Sequence, residues 1–384
     1  MKKSEIKAFW NDDNKAGIRN HVIALSLSSF CNEAVEMICN QVRDIVPLTH
    51  AFGRNEIGLN KKRLESSLLK TALNPNVHSV LLVGYEPKST EEYLDNFRRK
   101  SKKRIEVVTL SEEGTLGAIR IGASKALELV LDASEVKREP ADISDFIFGL
   151  KCGGSDTTSG IASNPAVGVA TDLIIERGGT AIFSETTEII GAEHILARRA
   201  ASNDVKKRIF EVAKFNEMLA ISEGIDLVGT NPVPDNIRGG ISTIEEKSLG
   251  AVLKSGTSVI KGVLDYEEEP KGRGLYFMDS PSAAQAVLTA LSAAGCQIVL
   301  FTTGTGNPVG NPISPVVKIT ANPNTAKKLK EHIDIDISDI LTGELSISKA
   351  GEVILSEAIR VMNGRLTKAE ALKHNEFAPL PAGL

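Results

Sequence analysis

Short apolar runs alternate with segments of helical periodicity along almost the whole chain, and this alternation constrains the fold more than any other feature. Val22–Leu27, Val77–Val83, Arg104–Leu110, Phe146–Leu150, Thr180–Ser184, Gly274–Met278, Gln297–Phe301 and Val316–Thr320 read as strands, with a short strand end near Leu48. Asn32–Ile45 carries apolar residues at Ala34, Val35, Ile38, Val42 and Ile45, the spacing of one helix face. Lys61–Leu73, Thr90–Arg99, Gly117–Leu131, Asn164–Arg177, Ile189–Ala201, Val205–Ser222, Thr243–Leu253 and Ala283–Ala294 read as further helices, as do segments near 324–332, 346–363 and 367–373. Asn74-Pro75-Asn76 is a turn signal. Strands that alternate with helices imply βαβ units and a mainly parallel sheet. The expected class is α/β, with two Rossmann-like parallel or mixed sheet blocks flanked by helices. The charged stretch Ser134–Asp145 marks a boundary between an N-terminal α/β domain, 1–138, and a C-terminal α/β catalytic domain, 139–384.

Composition removes several function classes. Lys+Arg 45 against Asp+Glu 49 leaves a net charge of −4, whereas a general nucleic-acid binder is usually basic. Aromatics are 4%, too few for a base-stacking surface. No apolar run approaches the roughly 20 residues that span a bilayer, and no apolar core follows the N-terminal lysines. Cys31, Cys39, Cys152 and Cys296 make no disulfide framework. A cytoplasmic protein with reduced thiols is expected, with no nucleic-acid or membrane partner.

Ligands of parallel sheets bind outside the carboxyl ends of the strands. Five polar loops follow expected strands here: Thr49–Arg54, KCGGSDTTSG at 151–160, Glu185–Glu188, Asp279-Ser280, and TTGTGNPVGNP at 302–312. If their strand ends share one edge, the loops converge. Cys152, Glu185, Glu188, His50 and His194 are then possible ligands for a metal such as Fe(II), Zn(II) or Mn(II). None has a local spacing such as CxxC or HExxH. A lone histidine is more often a satisfied core or surface residue, and carboxylates at Glu185 and Glu188 also suit a helix N-terminus. Glycine-rich loops expose backbone N–H groups to anions. Neither loop matches the P-loop or the dinucleotide fingerprint. Arg19, Arg54, Lys151 and Lys318 could each grip an anionic group, although a single basic residue is usually a solvated face. Cys152 is open to three readings: nucleophile, metal ligand, or small buried residue at a tight turn.

GIRNHV, KCGGSDTTSGIASNPAVGVATD, FSETTEIIGAEHILARRA, GGISTIEEKSLGAVLKSG, GVLDYEEEP with GLYFMDS, and TTGTGNPVGNPISPVVKI occur in this order from about residue 15 to 377. Together they resemble the altronate/galactarate dehydratase family of sugar-acid lyases. Two places depart from the pattern typical of sugar-acid dehydratases. THAFGRNEIG carries Gly53-Arg54 where a His-x-x-Gly-Cys element is expected, and VGYEP at 83–87 replaces a cysteine-bearing turn. Both departures resemble the branch that eliminates sulfite from (2R)-sulfolactate.

The resemblance implies a lyase acting on a small anionic 2-hydroxy acid, with a divalent metal, iron foremost, Mn(II) or Zn(II) next. It also implies an oligomer with a small SAF-type partner subunit, because the SAF domain that members often carry is expected to be absent here or encoded separately. Sugar-acid hydro-lyase activity is the alternative, and an inactive scaffold subunit is the reading from another class. On this reading His50, Cys152, Glu185 and His194 are the candidate metal ligands. Lys151, Asp156 and Glu188 are the candidate acid–base groups. Arg19, Arg54, Ser155, Thr157, Asn307 and Lys318 are the candidates for substrate binding.

Overall fold

The structure, a computed structural model, describes residues 6–53, 56–224 and 231–379. Its strands are β1 (Ile6–Trp10), β2 (Ala16–Gly17), β3 (His21–Ser26), β4 (Ile45–Leu48), β5 (Val77–Gly84), β6 (Ile105–Thr109) and β7 (Glu139–Ala141). Then follow β8 (Ile147–Cys152), β9 (Thr180–Ser184), β10 (Ile260–Leu264), β11 (Gly274–Met278), β12 (Ile298–Thr302), β13 (Val316–Thr320) and β14 (Ile335–Asp336). They form a four-stranded sheet ordered β4-β3-β5-β6, a seven-stranded sheet ordered β10-β11-β9-β8-β12-β13-β14, and a small sheet β2-β1-β7. Every pairing in the two larger sheets is parallel, and the small sheet is antiparallel.

Parallel strands covered on both faces read as continuous apolar runs, which is why the sequence marks them. In the seven-stranded sheet the pleat sends alternate residues to opposite layers. Phe148, Leu150, Phe183, Phe277 and Leu300 enter one core with the helices Asn164–Glu176 and Ile347–Met362. Ile182, Tyr276, Val299 and Phe301 enter the other with the helix Ala284–Ala293. Ile6, Ala8, Ala16 and Ile18 also pack into the first of these cores.

Asn74-Pro75-Asn76 is a turn, and it also ties the two large sheets together. Asn74 Nδ2 donates to the carbonyls of Ser292 and Cys296 at 2.7 and 2.9 Å, and Asn76 Nδ2 donates to those of Gln297 and Ile313 at 2.8 and 2.9 Å. All these groups are buried, so each bond prevents an unsatisfied polar atom.

Several local expectations differ from the structure: the helix expected over Asn32–Ile45 ends at Gln41, and Ile45 opens β4. The helix expected over Ile189–Ala201 shrinks to Glu193–Ala197, because Gly191 adopts φ +88°, which no helix accepts. The helix expected from Gly117 begins at Leu110 and bends at Gly114, where φ is +65°. The strands β1, β7 and β10 were not legible, since their burial is partial or irregular. No helix among the described residues is long and apolar enough to cross a membrane.

Candidate active site

The loops after β8, β9, β11 and β12 leave the same edge of one parallel sheet. Here the chain order reverses: β9, β10 and β11 lie on one side of β8, while β12 lies on the other. A crevice forms at such a switch point. A cavity of about 490 Å³ opens there, lined among others by Lys151, Cys152, Ser155, Glu188, Lys247 and Asn307.

Beneath and beside the cavity lies a buried cluster of ionisable groups. Cys152, Glu185 and Glu188 each place a ligand atom within 4.8 Å of the others, the one such group among the described residues. Lys151 Nζ donates to Glu185 Oε1 and, at 2.7 Å, to the Cys152 carbonyl. Lys254 Nζ lies 3.2 Å from Cys152 Sγ and 3.3 Å from Glu185 Oε2. Lys247 Nζ pairs with Glu188 Oε1 at 3.0 Å and reaches Asn231 Oδ1 at 2.6 Å. Lys151, Cys152, Lys254 and Glu185 are all 2% exposed or less.

The local fold explains how these groups meet. Lys151 and Cys152 are consecutive in β8, so their side chains leave opposite faces of the sheet. They share Glu185 because it sits just past the end of β9, where both faces are within reach. Glu185 adopts φ +83°, ψ +79°, a left-handed conformation that costs a non-glycine residue on the order of 1 kcal/mol or more. Its N–H donates to Ser280 Oγ at 3.0 Å and its carboxylate accepts from both lysines and from the Cys152 N–H. Neighbours that over-determine the conformation keep the strained backbone in place. Across the cavity, Gly154 has φ +61°, and a Cβ there would meet Thr305 Oγ1 at 2.8 Å, so the KCGG turn can pack against the TTGTG loop only with glycine.

Burial would push the Glu185 carboxyl up, but Lys151 and Lys254 outweigh it and hold Glu185 below the usual carboxylate range. Burial raises the Cys152 thiol to about 12, with Lys254 opposing the shift and Glu185 and Glu188 adding to it. Lys254 is desolvated by burial, yet the charges of Cys152, Glu185 and Glu188 raise it above an ordinary lysine. The donor set is chemically apt for a divalent transition ion: one sulfur and two carboxylates, all on buried residues.

Of the residues singled out in the sequence, Lys151, Cys152, Glu185 and Glu188 come together, and Ser155 and Asn307 line the same cavity. The other described candidates go elsewhere. His50 follows β4, in the four-stranded sheet, and its ring nitrogens are engaged by the Ser26 carbonyl at 3.0 Å and the Phe52 N–H at 3.2 Å. His194 is exposed on the helix Glu193–Ala197. Arg19 pairs with Glu370 at 2.7 Å and donates to the carbonyls of Val361 and Arg365, fastening the C-terminal segment. Asp156 spends both oxygens inside its own turn and on Asn322: Oδ1 accepts from Thr158 and Ser159, Oδ2 from Asn322 Nδ2 at 2.7 Å. Thr157 Oγ1 donates to the Gly239 carbonyl. Lys318 is buried over the Phe301 ring and donates to the Val309 carbonyl. Arg54 lies outside the described residues.

Lys247 and Lys254 were not singled out, and they complete the cluster. Their spacing of seven residues puts both on one face of the segment formed by the helix Ile244–Val252 and the turn after it, together with buried Ile244 and Ala251. Two lysines on an apolar helix face were the signal available in GGISTIEEKSLGAVLKSG.

Comparison with known proteins finds similarity along nearly the whole chain. The profile of the D-galactarate/altronate dehydratase C-terminal domain matches residues 143–384. That of the D-galactarate dehydratase/altronate hydrolase second domain matches residues 8–134. The chain is 41% identical to the (2R)-sulfolactate sulfo-lyase subunit beta of Chromohalobacter salexigens, over 98% of this chain and 97% of that one. It is 31% identical to altronate dehydratase of Bacillus subtilis, over 98% of this chain and 78% of the relative. Identity to the L-threo-forming galactarate dehydratase of Escherichia coli is 32%, over 77% of this chain and 58% of the relative.

Proposed function

The chain belongs to the D-galactarate/altronate dehydratase family of lyases, and from this premise we propose that it is the large subunit of a (2R)-sulfolactate sulfo-lyase. The observation that carries the reading is end-to-end similarity to a sulfo-lyase subunit beta, at 41% identity over 98% of the chain. Gly53-Arg54 and VGYEP, where cysteines are expected in sugar-acid dehydratases, support the same choice. A guanidinium at position 54 also suits a substrate that carries a sulfonate.

The reaction is an elimination from a 2-hydroxy acid. The C2–H bond breaks as a base takes the proton. Its electrons form the C2–C3 double bond, and the C3–S bond breaks with the pair leaving on sulfite. The resulting enol becomes pyruvate. Cys152 and Glu185 would hold a divalent ion, Fe(II) by preference, with Glu188 at the cavity side. When bound, such an ion supplies an electrophile for the carboxylate and hydroxyl oxygens.

The remaining work falls to the chain itself. Glu188 is the carboxylate of the cluster that lines the cavity, which supports it as the base. Lys151 and Lys247, also in the lining, place ammonium groups where the substrate carboxylate and the departing sulfite need positive charge. Asn307 and Ser155 orient the substrate in the cavity. A small SAF-type subunit completes the enzyme, since the similar Chromohalobacter chain is itself named as one subunit. Four free cysteines, three of them buried, fit a reducing, cytoplasmic setting.

The test is reconstitution. The purified chain, the partner subunit and Fe(II) are combined without oxygen and given (2R)-sulfolactate or altronate. Sulfite and pyruvate in equal amounts from sulfolactate support the proposal. A keto-deoxy acid from altronate, with no sulfite from sulfolactate, replaces it with a sugar-acid hydro-lyase.

A further inference from the structure

The thiol–carboxylate pocket already contains a cation. Lys254 Nζ stands 3.2 Å from Cys152 Sγ and 3.3 Å from Glu185 Oε2, so it points at two of the three atoms suited to an ion. Glu185 Oε1 is occupied by Lys151, and Glu188 Oε1 by Lys247. Lone pairs engaged by an ammonium are not available to a metal. The charges point the same way. Three ammonium groups face two carboxylates, and ionising Cys152 would bring the sum to zero before any divalent ion enters. Lys151 and Lys247 line the cavity and are placed to meet substrate, whereas Lys254 is not part of the lining. Its flexible four-carbon stem springs from a turn fixed by the bond from Thr171 Oγ1 to the Lys254 carbonyl at 3.0 Å, so the ammonium can withdraw without moving the backbone.

We infer that Lys254 is a resident cation that holds the pocket together when it is empty of metal and competes with the divalent ion for Cys152 and Glu185. Loading then requires the Lys254 ammonium to be displaced. The inference rests on the proposed assignment of Cys152 and Glu185 as the ion's holders. It concerns affinity for the ion and not turnover. A dianionic substrate, by offsetting the added positive charge, would favour loading, and the ion would strengthen substrate binding by the same factor.

Mn(II) binding to the metal-free chain tests this, with free Mn(II) read from its paramagnetic resonance signal and the fold checked by circular dichroism. Lys254→Met and Lys254→Gln remove the competing charge, and affinity should rise on the order of tenfold or more, given charges this close in a buried site. Lys254→Arg keeps the charge and should leave affinity within about threefold of wild type. Folded Lys254→Met and Lys254→Gln chains that bind Mn(II) no more tightly than wild type would overturn the inference. Cys152→Ser separates this from failure of the site itself. If Cys152→Ser weakens Mn(II) binding and Lys254→Met does not strengthen it, the competition alone is wrong. If Cys152→Ser changes nothing, the ion binds elsewhere, and both the site and the inference fall.

Discussion

Replacing Glu185 by glutamine should destabilise the metal-free chain by about 3–5 kcal/mol, the range for removing one member of a buried ion pair. Glu185 is wholly buried, and two lysines share its carboxylate. At 3.3 Å and an effective dielectric of about 20, the Lys254 contact alone corresponds to about 5 kcal/mol by Coulomb's law. Glutamine keeps the shape and can accept from one ammonium, but its NH2 then faces the other. The left-handed backbone at residue 185 stays strained with less to hold it.

Equilibrium urea unfolding of metal-free protein, followed through Trp10, is the assay. Trp10 is the sole tryptophan and packs against the large core of the seven-stranded sheet. The double variant Glu185→Gln/Lys254→Met removes one of the two lysines left facing residue 185 and should recover part of the loss, giving a coupling of at least about 1 kcal/mol, while Lys151 stays unpaired. Glu185 sits below its unfolded value, so its contribution is present above the ordinary carboxylate range and fades as pH falls through the folded value. The gap between variant and wild type should narrow in acid. A loss below about 1 kcal/mol, or losses that simply add in the double variant, would refute the buried-network argument.

Other outcomes follow from single sites. Cys152, raised to about 12 and buried, should react slowly with an aromatic disulfide in native metal-free protein at pH 8, and all four thiols should react after unfolding. Burial raises Glu267 to about 7, with Ser67 donating to it. Its folded value lies above the unfolded one, so its cost grows from about pH 4.5 upward and is complete above pH 7. Glu267→Gln should therefore stabilise by up to about 3 kcal/mol at pH 8 and by little at pH 4.5, as read by urea midpoints. Lys247→Met should raise KM for sulfolactate about tenfold or more, since Lys247 lines the cavity, whereas Lys318→Met, beneath the Val309 carbonyl, should leave KM unchanged. Arg19→Ala should cost about 3 kcal/mol in stability by orphaning buried carbonyls and Glu370, without altering KM.

The sequence by itself determined the α/β class, because strands covered on both faces must be apolar throughout and amphipathic helices must cover them. It also determined the loops that follow β8, β9, β11 and β12, because polar and glycine-rich residues interrupt those runs, and it singled out Glu185 and Glu188 in one of them and Lys151 and Cys152, which the structure places at the end of β8. Strand order was left to the tertiary structure. The periodicity of VIALSL or TAIFS does not say which strand lies beside which, and so it could not tell that the His50 loop belongs to another sheet. The partners of Cys152 lie 33 and 102 residues away, at Glu185 and Lys254. Contacts at such separation depend on the assembled sheet; the local pattern of two lysines on an apolar helix face marks Lys254 but not what it meets. Lys254 reads as one more lysine on a helix until the fold removes water from around it. Only then does a charge that would be solvated become part of the site.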